Sequence, residues 1–328
     1  MQEQHATSLD MSGPRGGRLA RRIFGIAPGE TSFARRGFRW DSEEVRTRLE
    51  GVAGRFVDGY HAALEESRID GLTARLDGIP PETAGFAYEG AGMALALLDT
   101  LTPWRHRRLD TFLKGPADPH AYIVHVGAGW ILARMPLSPE RLLSRFDRVL
   151  GWLALDGYGF HEGFFRWPRS VARQEVPHKV RGYARRAFDQ GLGRSLWFVE
   201  GAGPERIHGT ISAFPAERQG DLWSGAGLAC GYAGGIGRPA IETLLRLAGE
   251  HAPQLAQGVA FAASARQRAA NPAPQTELAC QTLWGADAAI VAEIVFRAGD
   301  DLPQDGAQPG FETWRRRIQQ CFERGKTS

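Results

Sequence analysis

The sequence predicts an all-α protein, and three observations support this fold class. Apolar residues recur at helical spacing from residue 41 onwards, prolines fall at or near the ends of the apolar segments, and convincing alternation of apolar and polar residues is absent. In addition, glycine-rich signatures recur in the same order along the chain. We therefore expect a duplicated helical repeat, solenoid or toroid-like, in which units of about 100 residues surround a central cavity.

The N-terminal region differs in composition from the rest of the chain. Residues 1–40 are rich in glycine, serine and proline and carry seven arginines against three acidic residues. We interpret them as a basic, partly flexible arm with one short helix around residues 18–26. The arginines, together with a second cluster at residues 315–317, are either solvated side chains or a docking patch for an anionic membrane or an acidic partner.

Residues 41–328 are expected to form a single all-α domain. Asp41 and Ser42 followed by two glutamates are typical of a helix start, and apolar residues then follow at the spacing of one helix face up to residue 60. Further helices are predicted at residues 82–101, 103–114, 119–134, 138–153, 178–199, 204–213, 221–234, 238–250, 253–270, 275–297 and 310–324.

Three short signatures predict an internal duplication. Residues 89–95 align with 190–196, and residues 156–160 with 257–261, both at an offset of 101 residues. Between them, the Gly-Ala-Gly of residues 127–129 matches that of 225–227 at an offset of 98. The two copies would span about residues 86–166 and 187–268.

Glycines inside the predicted helices need an explanation, since each costs about 1 kcal/mol relative to alanine. One explanation is close approach of neighbouring helices through small faces. The other is a set of helices thinned to leave a lumen for a flat or rod-like apolar ligand. The two explanations are compatible.

Polar residues accompany these signatures. Glu89, Asp156 and Asp189 are candidates for general acid–base chemistry, because burial would raise the pKa of each carboxyl towards working pH. The alternative is that they pair with arginines, among them Arg194, and only lock helices together.

The densest group of functional side chains lies at residues 156–167. It contains His161, Glu162 and Tyr158 among aromatic residues, which suits an extended unsaturated ligand but also suits an ordinary core. His161 and Glu162 are adjacent, so on a helix they point in different directions and do not chelate one metal. An E-x-x-H of the di-iron type occurs once, at residues 205–208, and neither a metal site nor a cofactor motif is predicted.

Composition and the spacing of cysteine and apolar residues also indicate the compartment in which the protein resides. Of 328 residues, 43% are hydrophobic and 23% charged, as in a soluble globular chain, and the net charge of +3 is too balanced for a nucleic-acid-binding protein. The three cysteines form no C-x-x-C pair, which fits a reducing compartment. The longest apolar stretch, residues 122–133, falls short of the roughly 18–20 residues of a bilayer span. We expect a cytoplasmic protein that is not transmembrane.

Several longer segments carry a resemblance to a known family. Residues 31–38, 86–99, 125–130, 155–163 and 185–200 together resemble a bacterial family of unknown function, best known as a conserved accessory protein beside enediyne polyketide synthases. The resemblance covers about residues 20–290. It implies a protein that helps to convert a linear polyene from the synthase into the enediyne core precursor, with the polyketide synthase or other pathway proteins as partners. The family supplies no established catalytic residues to carry over.

These observations lead to one functional expectation and one alternative. We expect an accessory enzyme that processes a hydrophobic polyene or polyyne intermediate by acid–base chemistry in an apolar helical cavity. The alternative is a non-catalytic carrier or scaffold that shields the intermediate or docks partner enzymes. The candidate catalytic residues are Glu89, Asp156, His161 and Asp189, and the candidate substrate-binding residues are Tyr88, His125, Tyr158, Glu162, Gln190 and Trp197.

Overall fold

The all-α prediction is confirmed. The computed structural model describes residues 14–102, 104, 107–303 and 308–327, and in these residues the regular elements are helices, without a strand. The helices are α1 (Pro14–Phe24), α2 (Phe33–Arg36), α3 (Glu43–Glu65), α4 (Ile69–Asp77), α5 (Pro81–Leu101), α6 (Arg108–Leu113), α7 (Ala121–Gly129), α8 (Ile131–Arg134), α9 (Pro139–Leu143), α10 (Trp152–Phe165), α11 (Tyr183–Val199), α12 (Pro204–Ser212), α13 (Ala216–Tyr232), α14 (Arg238–Ala248), α15 (Ala252–Arg268), α16 (Pro274–Trp284), α17 (Ala288–Ala298) and α18 (Gly310–Thr327).

Local signals mark several helix starts. The Ser42 hydroxyl accepts a hydrogen bond from the backbone N–H of Val45 and caps α3, and several helices begin at a proline, whose missing N–H is not needed in a first turn. The helix predicted at residues 138–153 begins as expected with α9 but ends early, at Leu143. The Asp147 carboxylate accepts hydrogen bonds from the N–H groups of Val149 and Leu150, which forms a turn and delays the next helix to residue 152.

Seven helices form the body of the fold. α3, α5, α7, α10, α11, α13 and α15 pack in chain order, each against the next, while α17 and α18 pack on α15. The array curves until distant members meet. Arg48 on α3 donates from Nε to the carbonyl of Ala233 at the end of α13 over 2.9 Å, and Arg266 on α15 donates from Nη1 to the carbonyl of Glu82 on α5 over 2.6 Å.

Pairs of glycines two residues apart explain how closely these helices pack. A Cβ atom added at Gly191 on α11 would lie 1.7 Å from the Asp156 carbonyl oxygen on α10, and one added at Gly193 would lie 2.1 Å from the Leu222 carbonyl oxygen on α13. The first glycine thus contacts the preceding helix and the second contacts the following one. The same contacts are made by Gly90 and Gly92 on α5, Gly127 and Gly129 on α7, Gly157 and Gly159 on α10, and Gly225 and Gly227 on α13.

This packing recurs along the array, with a glycine pair on α5, α7, α10, α11 and α13 and a single contacting glycine on α3 and on α15. Gly191 and Gly225 are 34 residues apart, and Gly225 and Gly258 are 33 residues apart, with equivalent contacts in the structure. The offset of 101 residues found in the sequence therefore spans three helices of a shorter period. An ancient duplication of the longer unit stays a prediction.

The described part of the arm is packed against the body. Phe33 and Phe38 are buried, the Phe33 N–H donates to the Glu50 carboxylate over 2.7 Å, and the Arg39 N–H donates to the Val199 carbonyl over 2.9 Å. Residue 41 is therefore not a packing boundary. In the described residues, no single helix is both long and apolar enough to cross a bilayer.

Candidate functional site

An apolar pocket lies among the helices of the array. Residues from α3, α5, α7, α10, α11 and α13 line it, and the segment around residues 26–31 contributes to the same wall. The cavity has a volume of about 50 Å³. Aromatic side chains form much of the wall, namely Phe56, Phe86, Trp130, Phe160, Phe164, Phe165, Phe198 and Tyr232.

Two buried charged side chains interrupt this apolar wall. Glu89 projects from α5 and Arg194 from α11, and their closest atoms, Oε1 and Nη2, are 3.4 Å apart. Arg194 also places Nη1 2.9 Å from Oδ1 of Asp156, a buried residue of α10 behind the wall. Its guanidinium carbon lies 4.8 Å from the centre of the Phe160 ring. One guanidinium therefore serves two carboxyl groups and an aromatic face.

The protonation of Glu89 depends on the fact that one guanidinium group faces two carboxyl groups. Burial raises the pKa of its carboxyl to about 7, and the nearby Asp156 carboxylate acts in the same direction, against the opposing charge of Arg194. Asp156 has the shorter contact with Arg194 and also accepts a hydrogen bond from the Gln190 amide over 2.8 Å. Burial also raises the pKa of the Asp156 carboxyl, against Arg194 and the Gln190 amide, and of these two carboxyls Glu89 is the one that lines the pocket.

The glycine packing explains why these side chains meet. Glu89, Asp156, Gln190, Ser224 and Gln257 each stand directly before the glycine that contacts the preceding helix. In five helices the equivalent position thus carries a polar residue, and neighbouring helices bring these positions side by side.

The result is a buried polar ladder that continues away from the pocket. The Ser224 hydroxyl lies 3.1 Å from Oε1 of Gln190 and 2.9 Å from Oε1 of Gln257, so its single proton serves one amide at a time. Arg315 on α18 donates from Nε to the same Gln257 oxygen over 3.3 Å.

A second ion cluster closes the far end of the ladder. Arg315 is fully buried and contacts Asp221 at 2.6 Å and Glu312 at 3.3 Å, and Arg186 contacts the same two carboxylates at 2.9 and 2.5 Å. Of the arginines at residues 315–317, Arg315 is therefore buried, whereas the Arg316 side chain is 52% exposed. Arg315 holds α18 against the array.

Of the predicted catalytic residues, the structure brings Glu89 and Asp156 together but places Asp189 elsewhere. Asp189 forms a two-point ion pair with the buried Arg218, with contacts of 2.5 and 2.9 Å, and does not line the pocket. Among the predicted binding residues, Gln190 belongs to the ladder, while Trp197 donates its indole N–H to the Gly234 carbonyl over 2.8 Å and fixes a loop.

His161 lies behind the pocket wall. Its ring packs against Trp130 and Phe165, and burial lowers its pKa to about 4, which keeps the imidazole neutral at physiological pH. Nδ1 lies 3.6 Å from Oε1 of Glu162, beyond hydrogen-bond distance. Tyr158 and Glu162 line a separate polar pocket on another face of α10.

Tyr88 and His125 point away from the apolar pocket. The Tyr88 hydroxyl donates to Asp77 over 3.0 Å and its ring stacks on His120. His125 lies 2.7 Å from the Ala121 carbonyl through Nδ1, with its ring edge to face against Phe146.

Sequence reasoning did not select most of the pocket wall. Phe56, Phe198 and Tyr232 come from α3, α11 and α13, and only the curvature of the array brings them together. Arg194 was considered as a pairing partner for buried acids, and the structure shows that pairing. Within the part of the chain that the structure describes, no three or more His, Cys, Asp or Glu side chains are grouped as metal ligands.

The fold and the site together define the class of protein: a helical array, joined through paired glycines, whose apolar pocket carries a buried ion cluster. The chain belongs to the family described as "Protein of unknown function (DUF1702)", whose model matches residues 16–322. No curated protein and no solved structure matches the chain. The family match agrees with the expected family of unknown function, whereas the enediyne link rests on the resemblance alone.

Proposed function

We propose that this protein is an enzyme that binds an extended, unsaturated apolar molecule in the pocket and moves a proton with Glu89. The observation that carries the proposal is a single buried carboxyl with a pKa of about 7 on a largely aromatic wall. A group with a pKa near working pH both accepts and returns protons efficiently. The pocket is proposed to be the central cavity of the duplicated array.

The reaction best matched to these groups is a shift of a double bond. The Glu89 carboxylate removes a proton from a carbon next to the unsaturated system, and the electron pair of that C–H bond becomes delocalised along the chain. The same proton then returns from Glu89 to a carbon further along, which moves the double bond. Atoms and electrons balance without an oxidant or reductant, and the guanidinium of Arg194 stabilises the delocalised negative charge.

The resemblance suggests the substrate class. A linear polyene made by a polyketide synthase is apolar, flat and rod-like, and aromatic side chains bind such a molecule through their faces. We therefore propose that the protein acts on a polyene or polyyne intermediate in natural-product biosynthesis.

A deuterium-exchange experiment tests the role of Glu89. Parinaric acid, a conjugated fluorescent tetraene, serves as the probe: its fluorescence reports binding, and mass spectrometry after incubation in D₂O reports exchange at carbon. We expect binding by the native protein and by Glu89→Gln, with exchange lost only in Glu89→Gln. Glu205→Gln, which changes an exposed carboxyl on α12, is the matched control and keeps both.

Two results would overturn the proposal. Equal exchange by the native protein and Glu89→Gln would exclude this carboxyl as the base. Binding without any exchange in the native protein would instead support the carrier alternative, in which the pocket shields the molecule and no proton moves.

A further inference from the structure

The helix α1 has two different faces. Gly17, Ala20 and Phe24 face the body, and a Cβ atom added at Gly17 would lie 2.2 Å from the Glu65 carbonyl oxygen of α3. Leu19 and Ile23 lie one helical turn apart on the outer side and are 36% and 53% exposed. Large apolar side chains exposed to this degree are few in the described residues, and the others are Trp104 and Ile290.

Arginines flank this exposed apolar pair. Arg18 and Arg22 are exposed beside it, and α1 contains no acidic residue. A helix with apolar residues between arginines, and without acidic residues, is typical of segments that lie in the interface of an anionic membrane.

A second pocket, here called the vestibule, adjoins both this helix and the apolar pocket. It is lined by Arg21 and by residues 25–28, and its volume is about 450 Å³. Ile26, Thr31 and Val57 line both the vestibule and the apolar pocket, so the two spaces share part of their walls.

Two hydrogen bonds hold the segment that roofs the vestibule. The Tyr60 hydroxyl donates to the Phe24 carbonyl over 2.9 Å, and the Ile26 N–H donates to Nε2 of His61 over 3.0 Å. The segment follows α1 directly in the chain. A surface that binds α1 therefore lies at the entrance to the pocket.

We propose that α1 docks this protein on an anionic lipid surface, with Leu19 and Ile23 in the headgroup boundary, and that apolar molecules enter the pocket from that surface through the vestibule. The charge of α1 selects a negative surface, and the exposed Leu–Ile pair selects one with an apolar interior, which a lipid leaflet has and a purely acidic protein face lacks. Docking stands on α1 alone, whereas the entry of a ligand rests on the proposed function.

Vesicle flotation tests the docking. The full-length protein is mixed with vesicles of phosphatidylcholine and phosphatidylglycerol or of phosphatidylcholine alone. We expect binding to the anionic vesicles only, weakened by salt. Leu19→Ser with Ile23→Ser, and separately Arg18→Gln with Arg22→Gln, should each weaken binding about tenfold or more. The matched control is Ile290→Ser, an apolar residue of α17 that is 56% exposed, and it should leave binding unchanged.

Each other outcome overturns docking on lipid. Absence of binding at low salt, or equal binding by all variants, would exclude α1 as the contact. Loss of binding in the arginine variant alone would mean that only charge is recognised, as by an acidic protein.

Ligand entry is measured separately, as transfer of parinaric acid from the vesicles to the protein. Slower transfer to the Leu19→Ser, Ile23→Ser variant, with unchanged uptake from solution, supports entry through the vestibule. If the protein docks but takes up no parinaric acid from either source, docking stands and the proposed function fails.

Discussion

The paired glycines allow a quantitative test of helix packing, with Gly191→Ala as the perturbation. The new Cβ atom would lie 1.7 Å from the Asp156 carbonyl oxygen and 2.5 Å from its carbon. Both contacting groups of α10 are backbone atoms, so no side chain can rotate out of the way. Carbon and a carbonyl oxygen ordinarily approach to about 3.3 Å, and the two helices must therefore separate locally by about 1.6 Å.

The size of the effect follows from two opposing terms. Overpacking in a core costs about 1–3 kcal/mol, and a backbone clash belongs at the upper end of that range. The better helix propensity of alanine raises the free energy of unfolding by about 1 kcal/mol and so offsets part of that loss. We expect Gly191→Ala to lower the free energy of unfolding by about 2 kcal/mol, which corresponds to a fall of about 3 °C in Tm for a chain of 328 residues.

Thermal and urea unfolding, followed by circular dichroism, measure this difference. Gly51→Ala is the matched control, because Gly51 also lies inside a long helix but its Cβ would meet no atom within 4 Å. Gly51→Ala should raise the free energy of unfolding by about 1 kcal/mol. If Gly191→Ala were stabilised to the same extent as Gly51→Ala, helices α10 and α11 would not pack at carbonyl contact, and the account of the array would be wrong.

Three further predictions concern buried charge. The folded pKa of Glu89, about 7, lies above the ordinary 4.5, so the folded protein retains a proton that the unfolded chain has lost. The contribution of Glu89 to the free energy of unfolding should therefore fall by up to about 3 kcal/mol as pH rises from about 4.5 to 7. Urea titrations measure it as the difference between the native protein and Glu89→Gln, because the buried His161 and His120, with pKa values lowered to about 4, raise the stability of both proteins over the same range; a difference that does not change with pH would contradict the raised pKa of Glu89. Arg194→Met should lower the free energy of unfolding by about 3–5 kcal/mol above pH 7, because two carboxylates lose their guanidinium partner. The decrease should be smaller near pH 5, where carboxyls are protonated. A decrease that does not depend on pH would contradict this explanation. Arg315→Met should lower the free energy of unfolding by about 3–5 kcal/mol, because the Arg315 side chain is 0% exposed. Arg316→Met should lower it by less than about 1 kcal/mol, because the Arg316 side chain is 52% exposed. Comparable decreases for the two variants in urea unfolding would refute the buried cluster.

Helix positions could be predicted from the sequence where the signal is local. The starts marked by Ser42 and by Pro204 agree with the structure. The helices predicted from residues 103, 178 and 221 begin instead at residues 108, 183 and 216. The predicted helix at 275–297 is instead broken at Gly285, which has a φ of +65°. Glycine ordinarily marks such an end, but in this chain many glycines lie inside helices, so the residue alone does not distinguish a break from a packing contact.

The period of the array was harder to find for a related reason. The residue before the first glycine is polar in α5 and α10 but is Val126 in α7, which conceals the single-helix repeat and leaves the three-helix offset visible. The candidate site could likewise be predicted only in part from the sequence. Glu89 and Asp156 were predicted as buried acids, yet their shared contact with Arg194 depends on the register of three helices, which local patterns do not specify.

The curvature of the array has a consequence for the order of folding. Contacts between neighbouring helices join residues about one repeat apart, and such helices can add to a growing structure one after another. The bonds from Arg48 to Ala233 and from Arg266 to Glu82 join residues 185 and 184 positions apart, so their loop-closure entropy is largest. We expect these two bonds to form last. The interior would then remain open to solvent through most of folding, and a chain that fails only in this final step would be helical but unable to retain a ligand.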